Sequence, residues 1–280
     1  AGGPGGCGGG SHMRIQNLKD CSYFYGDHVI VFKDNRMSER NDRIALVTGA
    51  NKGIGLEIAR QLAEQGVSVL LGARDGARGT AAAQALAAEG LAVSFVQLDV
   101  CDPASLAAAA ARIATEHGRL DILVNNAGIS VAGDGAPGSV SLDVVRLTLE
   151  TNFIGPLAAT QAMLPLLRAS TAGRIINVSS SLGSLSLNND PLYSGYEVRL
   201  AGYNTSKAAL NMLTIQLNAE LRDTAITVAS VCPGLTSTDL NGHMGNRSPA
   251  VGAATPVRLA LQAGGSSPAQ FRDENGTLPW

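Results

Sequence analysis

Charged residues are scarce in this chain of 280 residues, since they make up 16% of it against about a quarter in an ordinary globular protein. Lys and Arg total 21 and Asp and Glu total 23, so the formal net charge is only −2. Nucleic-acid-binding proteins depend on a basic excess, so this near-balance argues against nucleic acid as a partner. Hydrophobic residues make up 45% of the chain, which excludes wholesale disorder.

Long apolar runs and paired cysteines are also missing. No run approaches the roughly 18 apolar residues of a membrane-spanning helix, and Arg112 interrupts even the Ala-rich stretch 106–114. The sequence therefore predicts no association with a membrane.

Cys7, Cys21, Cys101 and Cys232 form no CxxC motif, so we expect neither a disulfide framework nor a metal site. Cys101 and Cys232 adjoin apolar runs and are predicted to be buried thiols, which favours a reducing compartment such as the cytoplasm.

The first 42 residues differ from the remainder. Seven of the first ten are glycine, and residues 10–13 read GSHM, so residues 1–13 resemble a tag-derived tail. Residues 14–42 hold four of the ten Tyr and Phe residues within positions 23–32, and residues 25–29 predict a small hairpin. This arm either packs on the body or a neighbouring subunit, or is upstream or vector-derived sequence. A monomer and a homo-oligomer both remain open.

From residue 43 onwards, short apolar runs alternate with segments of helical periodicity. The uninterrupted β-branched runs are typical of strands buried on both faces of a parallel sheet. We therefore predict a single α/β domain over 43–280, with a Rossmann-type, doubly wound, mostly parallel sheet of about seven strands and helices on both faces. Strands are predicted at 44–48, 67–71, 93–98, 122–124, 175–178 and 226–231, and helices at 56–65, 77–89, 141–167, 204–222 and from Pro103.

A glycine-rich turn, residues 48–55, joins the first strand to the first helix. Gly49 permits a tight turn, Gly53 lets the backbone approach a pyrophosphate, and Gly55 allows close packing of helix on strand. The free N–H groups of the helix N-terminus favour an anion at this point. The turn therefore predicts a dinucleotide phosphate site.

The charges near this turn favour NADP over NAD. Many dinucleotide sites carry an acid after the second strand to bind the ribose 2′-hydroxyl. Here Arg74 is the first charged residue after that strand, with Lys52 in the turn and Arg78 one helical turn later. These cations suit a 2′-phosphate.

An acid–base pair is predicted near the end of the sheet. Tyr203 and Lys207 share a helix face at a spacing of four residues. A nearby ammonium stabilises a phenolate and lowers the pKa of the phenol. Ser179, Ser180 and Ser181 follow a strand directly, at the edge where open α/β sheets bind ligands.

Together these motifs resemble the short-chain dehydrogenase/reductase family over residues 43–280. The turn and the pattern at 71–78 look like the NADPH-dependent carbonyl reductases of that family. The motifs that carry the resemblance are residues 48–55, Asp99, residues 125–128, Asn152, Ser180, residues 203–207, and Pro233 and Gly234 followed by Thr238.

The resemblance implies a catalytic tetrad of Asn152, Ser180, Tyr203 and Lys207. Tyr203 would give its proton to the substrate carbonyl oxygen, and Ser180 would hydrogen-bond that oxygen. Lys207 would bind the nicotinamide ribose and lower the pKa of Tyr203. Asn152 would hold a water in a proton relay through Lys207.

The same resemblance implies an NADP(H) site. Asp99 would meet the adenine amino group, Asn126 the adjoining ribose region and Thr238 the carboxamide. The full predicted set is Gly49, Asn51, Lys52, Gly53, Ile54, Gly55, Arg74, Arg78, Asp99, Val100, Asn126, Ala127, Gly128, Tyr203, Lys207, Pro233, Gly234, Thr236 and Thr238.

Two features depart from the family pattern. Ser180 and Tyr203 are 23 residues apart, a longer spacing than is usual, so residues 187–193 should form an extra loop at the pocket edge. Thr236 stands where the family usually has an aliphatic residue.

The substrate is expected under a mobile lid, residues 235–252, in which His243 reads as a solvated residue rather than a base. The predicted pocket comprises Ser130, Val131, Leu182, Tyr193, Tyr196 and Met244. We predict an NADPH-dependent reductase that converts a small ketone or aldehyde to an alcohol. The alternatives are an NAD(P)-dependent alcohol or sugar dehydrogenase working in oxidation, and a non-catalytic protein that senses dinucleotides.

Overall fold

The computed structural model describes residues 1–3, 21–25, 28–32, 42–263 and 269–280. The chain divides into two compact units, residues 1–41 and residues 42–280. In the first unit, β1 (Cys21–Tyr25) pairs antiparallel with β2 (His28–Phe32), and Tyr25 lies opposite His28. This pairing confirms the predicted hairpin. Most of the tag-like tail and the rest of the arm lie outside the described residues.

The second unit is built on a seven-stranded sheet in which every pairing is parallel. Its spatial order is β5-β4-β3-β6-β7-β8-β9, so the chain starts in the middle and reverses direction between β3 and β6. Ligands of such sheets bind at the carboxyl ends of the strands beside this switch point. The strands are β3 (Ile44–Val47), β4 (Ser68–Ala73), β5 (Val93–Gln97), β6 (Ile122–Asn125), β7 (Arg174–Val178), β8 (Thr227–Val231) and β9 (Gln270–Arg272).

Helices cover both faces of this sheet. They are α1 (Gly53–Glu64), α2 (Gly76–Ala88), α3 (Pro103–His117), α4 (Leu142–Leu149), α5 (Gly155–Arg168), α6 (Leu185–Asn188), α7 (Ala201–Glu220) and α8 (Pro249–Leu261). A π-helical turn, Glu150–Ile154, joins α4 to α5, and short 3₁₀ turns lie at Ser181–Gly183 and Asp239–Asn241.

The core consists of two apolar clusters, one on each face. Leu46 and Leu123 point into the cluster with α3, α5 and α7, whereas their neighbours Val47 and Val124 point into the cluster with α1, α2 and α8. Successive side chains of a strand face opposite sides, so a strand buried on both faces must be apolar throughout. The predicted doubly wound α/β sheet is therefore confirmed.

The segment after β8 differs from its prediction. The expected lid over 235–252 is wrong at its end, because α8 begins at Pro249. Ser248 caps this helix by accepting a hydrogen bond from the Val251 N–H, which is an ordinary start signal hidden among glycine and polar residues. The seventh strand, β9, has no counterpart among the six strands located from the sequence. It has no apolar run, because Phe271 is its only buried residue.

Cys101 also differs from its prediction, since its side chain is exposed while Cys232 is buried. Cys101 follows the buried Val100 in the turn before α3, which turns its side chain to the surface.

Within the described ranges, no helix is both long enough and apolar enough to cross a membrane. The same residues contain no cluster of His, Cys, Asp and Glu that could hold a metal ion.

Candidate functional site

The glycine-rich turn after β3 is locked to the loop after β6. Gly49 has a φ of +62°, and a Cβ added there would lie 2.8 Å from the Ala127 Cα. A Cβ at Gly55 would lie 2.3 Å from Asn126 Nδ2. Thr48 Oγ1 accepts hydrogen bonds from the N–H groups of Asn126 and Ala127, each at 3.0 Å. Only glycine fits at these two positions, so the turn is preformed.

The Asn126 side chain belongs to this lock. Its Nδ2 donates to the carbonyl oxygens of Thr48 at 2.9 Å and Gly49 at 3.2 Å. The amide end predicted to meet a ribose is therefore engaged in holding the turn together.

The start of α1 faces the same space. Lys52 is the N-cap residue and forms no side-chain hydrogen bond with the first turn of the helix. Asn51, Gly53 and Ile54 are partly exposed, whereas Gly55 is buried. An uncapped helix start behind a glycine turn is a recognised setting for an anion.

The three predicted 2′-phosphate cations are all exposed, but two have carboxylate partners. Arg78 Nε lies 3.4 Å from Asp75 Oδ2, and Lys52 forms an ion pair with Asp239. Arg74 lies directly after β4 with an exposed side chain. Any 2′-phosphate at this point would compete with these carboxylates.

Asp99 and Val100 follow β5 on the same edge of the sheet. Asp99 Oδ1 accepts the Cys101 N–H at 3.0 Å. Val100 is 7% exposed, and a Cβ at Gly155 would lie 2.8 Å from its Cγ2. The Val100 side chain is thus packed against α5, and its backbone is the part left to meet a ligand.

The predicted catalytic residues come together at the carboxyl ends of β6 and β7. Lys207 is 5% exposed, and its Nζ donates to the Val178 carbonyl oxygen at 2.8 Å. The same Nζ lies 5.6 Å from the centroid of the Tyr203 ring. The Ser180 hydroxyl lies near enough to the Tyr203 phenol to act on its pKa. Ser180 Oγ accepts the Leu182 N–H at 3.2 Å, so its position is fixed.

Asn152 lies in the π-helical turn and is fully buried. Its Oδ1 accepts the Ile129 N–H at 2.8 Å, and its Nδ2 donates to Ser206 Oγ at 3.0 Å. A Cβ at Gly128 would lie 3.4 Å from Asn152 Oδ1 and 3.7 Å from Lys207 Nζ. The π-helical turn therefore brings Asn152 beside Lys207, and such turns are frequent at functional sites.

Burial shifts the pKa values of Tyr203 and Lys207 in opposite directions. Burial raises the pKa of Tyr203 to about 12, although the residue is partly exposed, and the nearby Ser180 hydroxyl acts in the opposite direction. Burial also lowers the pKa of Lys207 to about 8. Burial of the phenol is the largest cause acting on the Tyr203 pKa, and the lowering of that pKa by Lys207 stays a prediction.

The segment after β8 closes over the glycine turn. A Cβ at Gly53 would lie 3.5 Å from Thr238 Cγ2. Thr236 is buried, and its hydroxyl donates to the carbonyl oxygens of Pro233 at 3.2 Å and Gly234 at 3.3 Å. A threonine therefore replaces an aliphatic residue without leaving its hydroxyl unpaired.

His243 is largely exposed, and its Nε2 lies 2.9 Å from Asp239 Oδ1. It belongs to the surface group Lys52, Asp239 and His243, in keeping with the expectation of a solvated residue.

The extra residues between Ser180 and Tyr203 fold as α6 and a series of turns. Tyr193 Oη donates to Ser181 Oγ at 2.6 Å, which fixes this segment beside Ser180. Ser130, Val131, Leu182 and Tyr196 are partly buried, whereas Met244 is 79% exposed.

Sequence reasoning missed three residues of the site. Ser206 bonds Asn152, and Cys232 Sγ accepts the Ser181 N–H at 3.2 Å. Asp134 binds the backbone at the start of α7 through contacts that span 68 and 69 residues. No local pattern marks such contacts, although an Asp–Gly pair in a loop could have prompted a search for a capped helix.

Comparisons with known proteins agree with this architecture. Residues 43–248 match the family described as short chain dehydrogenase. The chain is 38% identical to short-chain dehydrogenase/reductase 1 of Saponaria officinalis, with 85% of this chain and 96% of the relative covered. It is 37% identical to carbonyl reductase (NADPH) 1 of Sus scrofa, with 79% and 88% covered.

A solved structure of NADPH-bound carbonyl reductase from chicken fatty liver superposes with a TM-score of 0.75. Its identity to this chain is 30%, and the match covers 88% of this chain and 97% of that one. From the fold, the glycine turn and these matches, we conclude that the chain belongs to the short-chain dehydrogenase family.

Proposed function

We propose that this protein reduces the carbonyl group of a small ketone or aldehyde to an alcohol, with NADPH as the hydride donor. The observation that carries the proposal is the grouping of Tyr203, Ser180 and Lys207 at the carboxyl edge of the sheet, beside the preformed glycine turn. The similarity to carbonyl reductases whose names include NADPH supports the same reading.

The residues present fit a dinucleotide. Gly49 and Gly55 let the turn pack directly against Ala127 and Asn126, where a Cβ would not fit. The helix α1 starts without a side-chain cap, which suits an anion at its N-terminus. In this proposal, residues 48–55 hold the phosphates, Asp99 and Val100 meet the adenine, and Pro233, Gly234 and Thr238 meet the nicotinamide end. When bound, NADPH supplies the hydride that reduces the carbonyl carbon.

Tyr203 is proposed as the proton donor. Its Oη gives a proton to the carbonyl oxygen as that oxygen gains charge, and Ser180 Oγ holds the oxygen in place. A pKa of about 12 keeps the phenol protonated at neutral pH, which is the form that an acid needs.

Lys207 and Asn152 are proposed to support this transfer. The Lys207 ammonium is anchored on the Val178 carbonyl oxygen next to the tyrosine ring, where it reaches the cofactor ribose. Asn152, whose side chain is fixed by its hydrogen bond to Ser206, is proposed to help hold a water that returns a proton to Tyr203 through Lys207.

The preference for NADPH rests on Lys52 and Arg74, with Arg78 as a weaker contributor because it already pairs with Asp75.

We further propose that residues 43–280 act as one domain that contains the whole site. The free thiols of Cys101 and Cys232 support action in a reducing compartment such as the cytoplasm.

The proposal is tested with a panel of ketones and aldehydes, following the nicotinamide absorbance with NADPH and with NADH. We expect turnover with NADPH, and we expect Tyr203→Phe to lower it by about 10²- to 10⁴-fold while NADPH still binds. Wild-type turnover in Tyr203→Phe, or no reduction by the wild type across the panel, would contradict the proposal.

A further inference from the structure

The helix that carries Tyr203 has no cap of its own. α7 begins at Ala201, and its N-cap residue Leu200 provides no side-chain hydrogen bond. The first N–H groups of a helix have no partner within the helix, so they must be satisfied from elsewhere. Tyr203 contributes one of these N–H groups, and the cap therefore bears directly on its backbone.

The loop after β6 supplies the missing partners. The Ala201 N–H donates to the Gly135 carbonyl oxygen at 2.9 Å. The Gly202 N–H donates to Asp134 Oδ1 at 2.9 Å, and the Tyr203 N–H donates to Asp134 Oδ2 at 2.8 Å. One carboxylate thus uses both oxygens to hold two consecutive amides of the catalytic helix.

Asp134 is itself held in place. Its N–H donates to the Val131 carbonyl oxygen at 3.1 Å, and its Oδ1 also accepts the Gly135 N–H at 2.9 Å. The negative charge faces the positive end of the helix dipole, which favours this arrangement. The two hydrogen bonds that Asp134 accepts from Gly202 and Tyr203, called the clamp below, therefore connect α7 to the loop that carries Ser130 and Val131.

Gly202 allows the carboxylate to come this close. A Cβ at Gly202 would lie 3.1 Å from Asp134 Oδ2 and 3.3 Å from Thr148 Oγ1. Such distances are tighter than ordinary van der Waals contact, so alanine there would press on the carboxylate.

We propose that Asp134 is a positioning residue for the reaction, which holds the Tyr203 backbone so that the phenol stays beside Ser180 and Lys207. The proposal rests on the proposed role of Tyr203 as proton donor. A misplacement of the order of 1 Å at a reacting group can cost about 10²-fold in rate. A cap that only stabilises the fold would instead lower stability without lowering the rate per folded molecule.

The first test compares Asp134→Asn and Asp134→Ala with the wild type in kcat per folded molecule and in NADPH affinity. We expect kcat to fall about tenfold for asparagine and about 10²-fold for alanine, with NADPH affinity within about threefold. Asparagine keeps one acceptor oxygen but turns an NH₂ group towards a backbone N–H, so it should be the milder change.

Asp121→Asn is the matched control. Asp121 is a buried carboxylate that accepts the Ile44 N–H at 2.9 Å and the Ser170 hydroxyl at 2.6 Å, at the opposite edge of the sheet. This variant should lower the melting temperature and leave kcat per folded molecule within about threefold. An equal loss of kcat in Asp121→Asn, or a parallel loss of NADPH affinity in the Asp134 variants, would overturn the proposal.

Gly202→Ala provides a second route that does not depend on Asp134→Ala folding. Alanine is a better helix former than glycine, so this variant should fold, yet its Cβ should displace the carboxylate. We expect kcat to fall about tenfold without a matching fall in melting temperature. Unchanged kcat in both Gly202→Ala and Asp134→Asn would also overturn the proposal.

The Tyr203→Phe background separates this inference from the proposed function. If Asp134 acts through Tyr203, then Asp134→Asn should lower the residual rate of Tyr203→Phe by no more than about threefold. A full additional loss would contradict the positioning role. Wild-type activity in Tyr203→Phe alone would instead contradict the proposed function, whichever result Asp134→Asn gives.

Discussion

The glycine turn and the segments above it are held by different kinds of contact. The turn after β3 is held to the β6 loop by partly buried hydrogen bonds of the Thr48 and Asn126 side chains with backbone groups, and there is no room for a Cβ at Gly49 or Gly55. The segment after β8 contacts the turn through an exposed ion pair between Asp239 and Lys52, and Asp239 also contacts His243 of the same segment. The difference indicates a rigid cofactor cradle beneath a cover that can be displaced.

The largest expected effect comes from breaking the cradle. Gly55→Ala would place a Cβ 2.3 Å from Asn126 Nδ2 and 2.7 Å from the Gly49 carbonyl oxygen. We expect a loss of about 1–3 kcal/mol in the free energy of unfolding, measured by denaturant titration. NADPH affinity, measured by fluorescence titration, should fall about 10²-fold, because the turn must move by an amount of the order of 1 Å.

Gly138→Ala is the matched control, since a Cβ there meets nothing within 4 Å. It should leave both quantities within the error of the measurement. A tolerated Gly55→Ala would show that the cradle is adaptable, and the contrast with the cover would be lost.

The second effect concerns pH. Burial lowers the pKa of Lys207 to about 8, and the ammonium is the form proposed to bind the ribose. Raising the pH through about 8 removes that charge, so kcat/KM for NADPH should fall about tenfold per pH unit above it. Lys207→Arg keeps its charge at these pH values, so its residual activity should not decline there. A wild-type profile that stays flat up to about pH 9, one unit above that pKa, would contradict this role.

The third effect sharpens the cofactor preference. Arg74→Glu places a negative charge after β4, where a 2′-phosphate is proposed. We expect NADPH affinity to fall about tenfold while NADH affinity changes by less than about twofold. Arg222→Glu is the control, because that arginine is exposed and pairs only with the neighbouring Asp223 among the contacts described. Equal losses for NADPH and NADH would remove the 2′-phosphate assignment.

The smallest effect concerns the cover. Asp239→Asn removes the carboxylate that pairs with Lys52, so Lys52 becomes available to a phosphate. Exposed ion pairs contribute little, and we therefore expect NADPH affinity to rise by only about two- to fivefold. The gain should shrink at high salt, because exposed charges are screened. A loss of affinity would mean that Asp239 supports the bound cofactor rather than competing with it.

The sequence predicted those parts of the site that local pattern encodes. The glycine turn lies between a predicted strand and a predicted helix, as a phosphate-binding loop requires, and Tyr203 and Lys207 share a helix face. The clamp of Asp134 on α7 was not predictable, because its contacts join distant segments through a loop without periodicity. The rise of the Tyr203 pKa could not be predicted from the Tyr–Lys spacing, because burial is a property of the packed structure.

The most direct test of the central claim is a single-turnover measurement of NADPH oxidation, with enzyme and NADPH premixed and then given a carbonyl substrate. This measurement isolates the chemical step from product release and from movement of the cover. At equal NADPH occupancy, Tyr203→Phe should slow the step by about 10²-fold or more. A step that stays within about threefold of the wild type would contradict the assignment of Tyr203 as the proton donor.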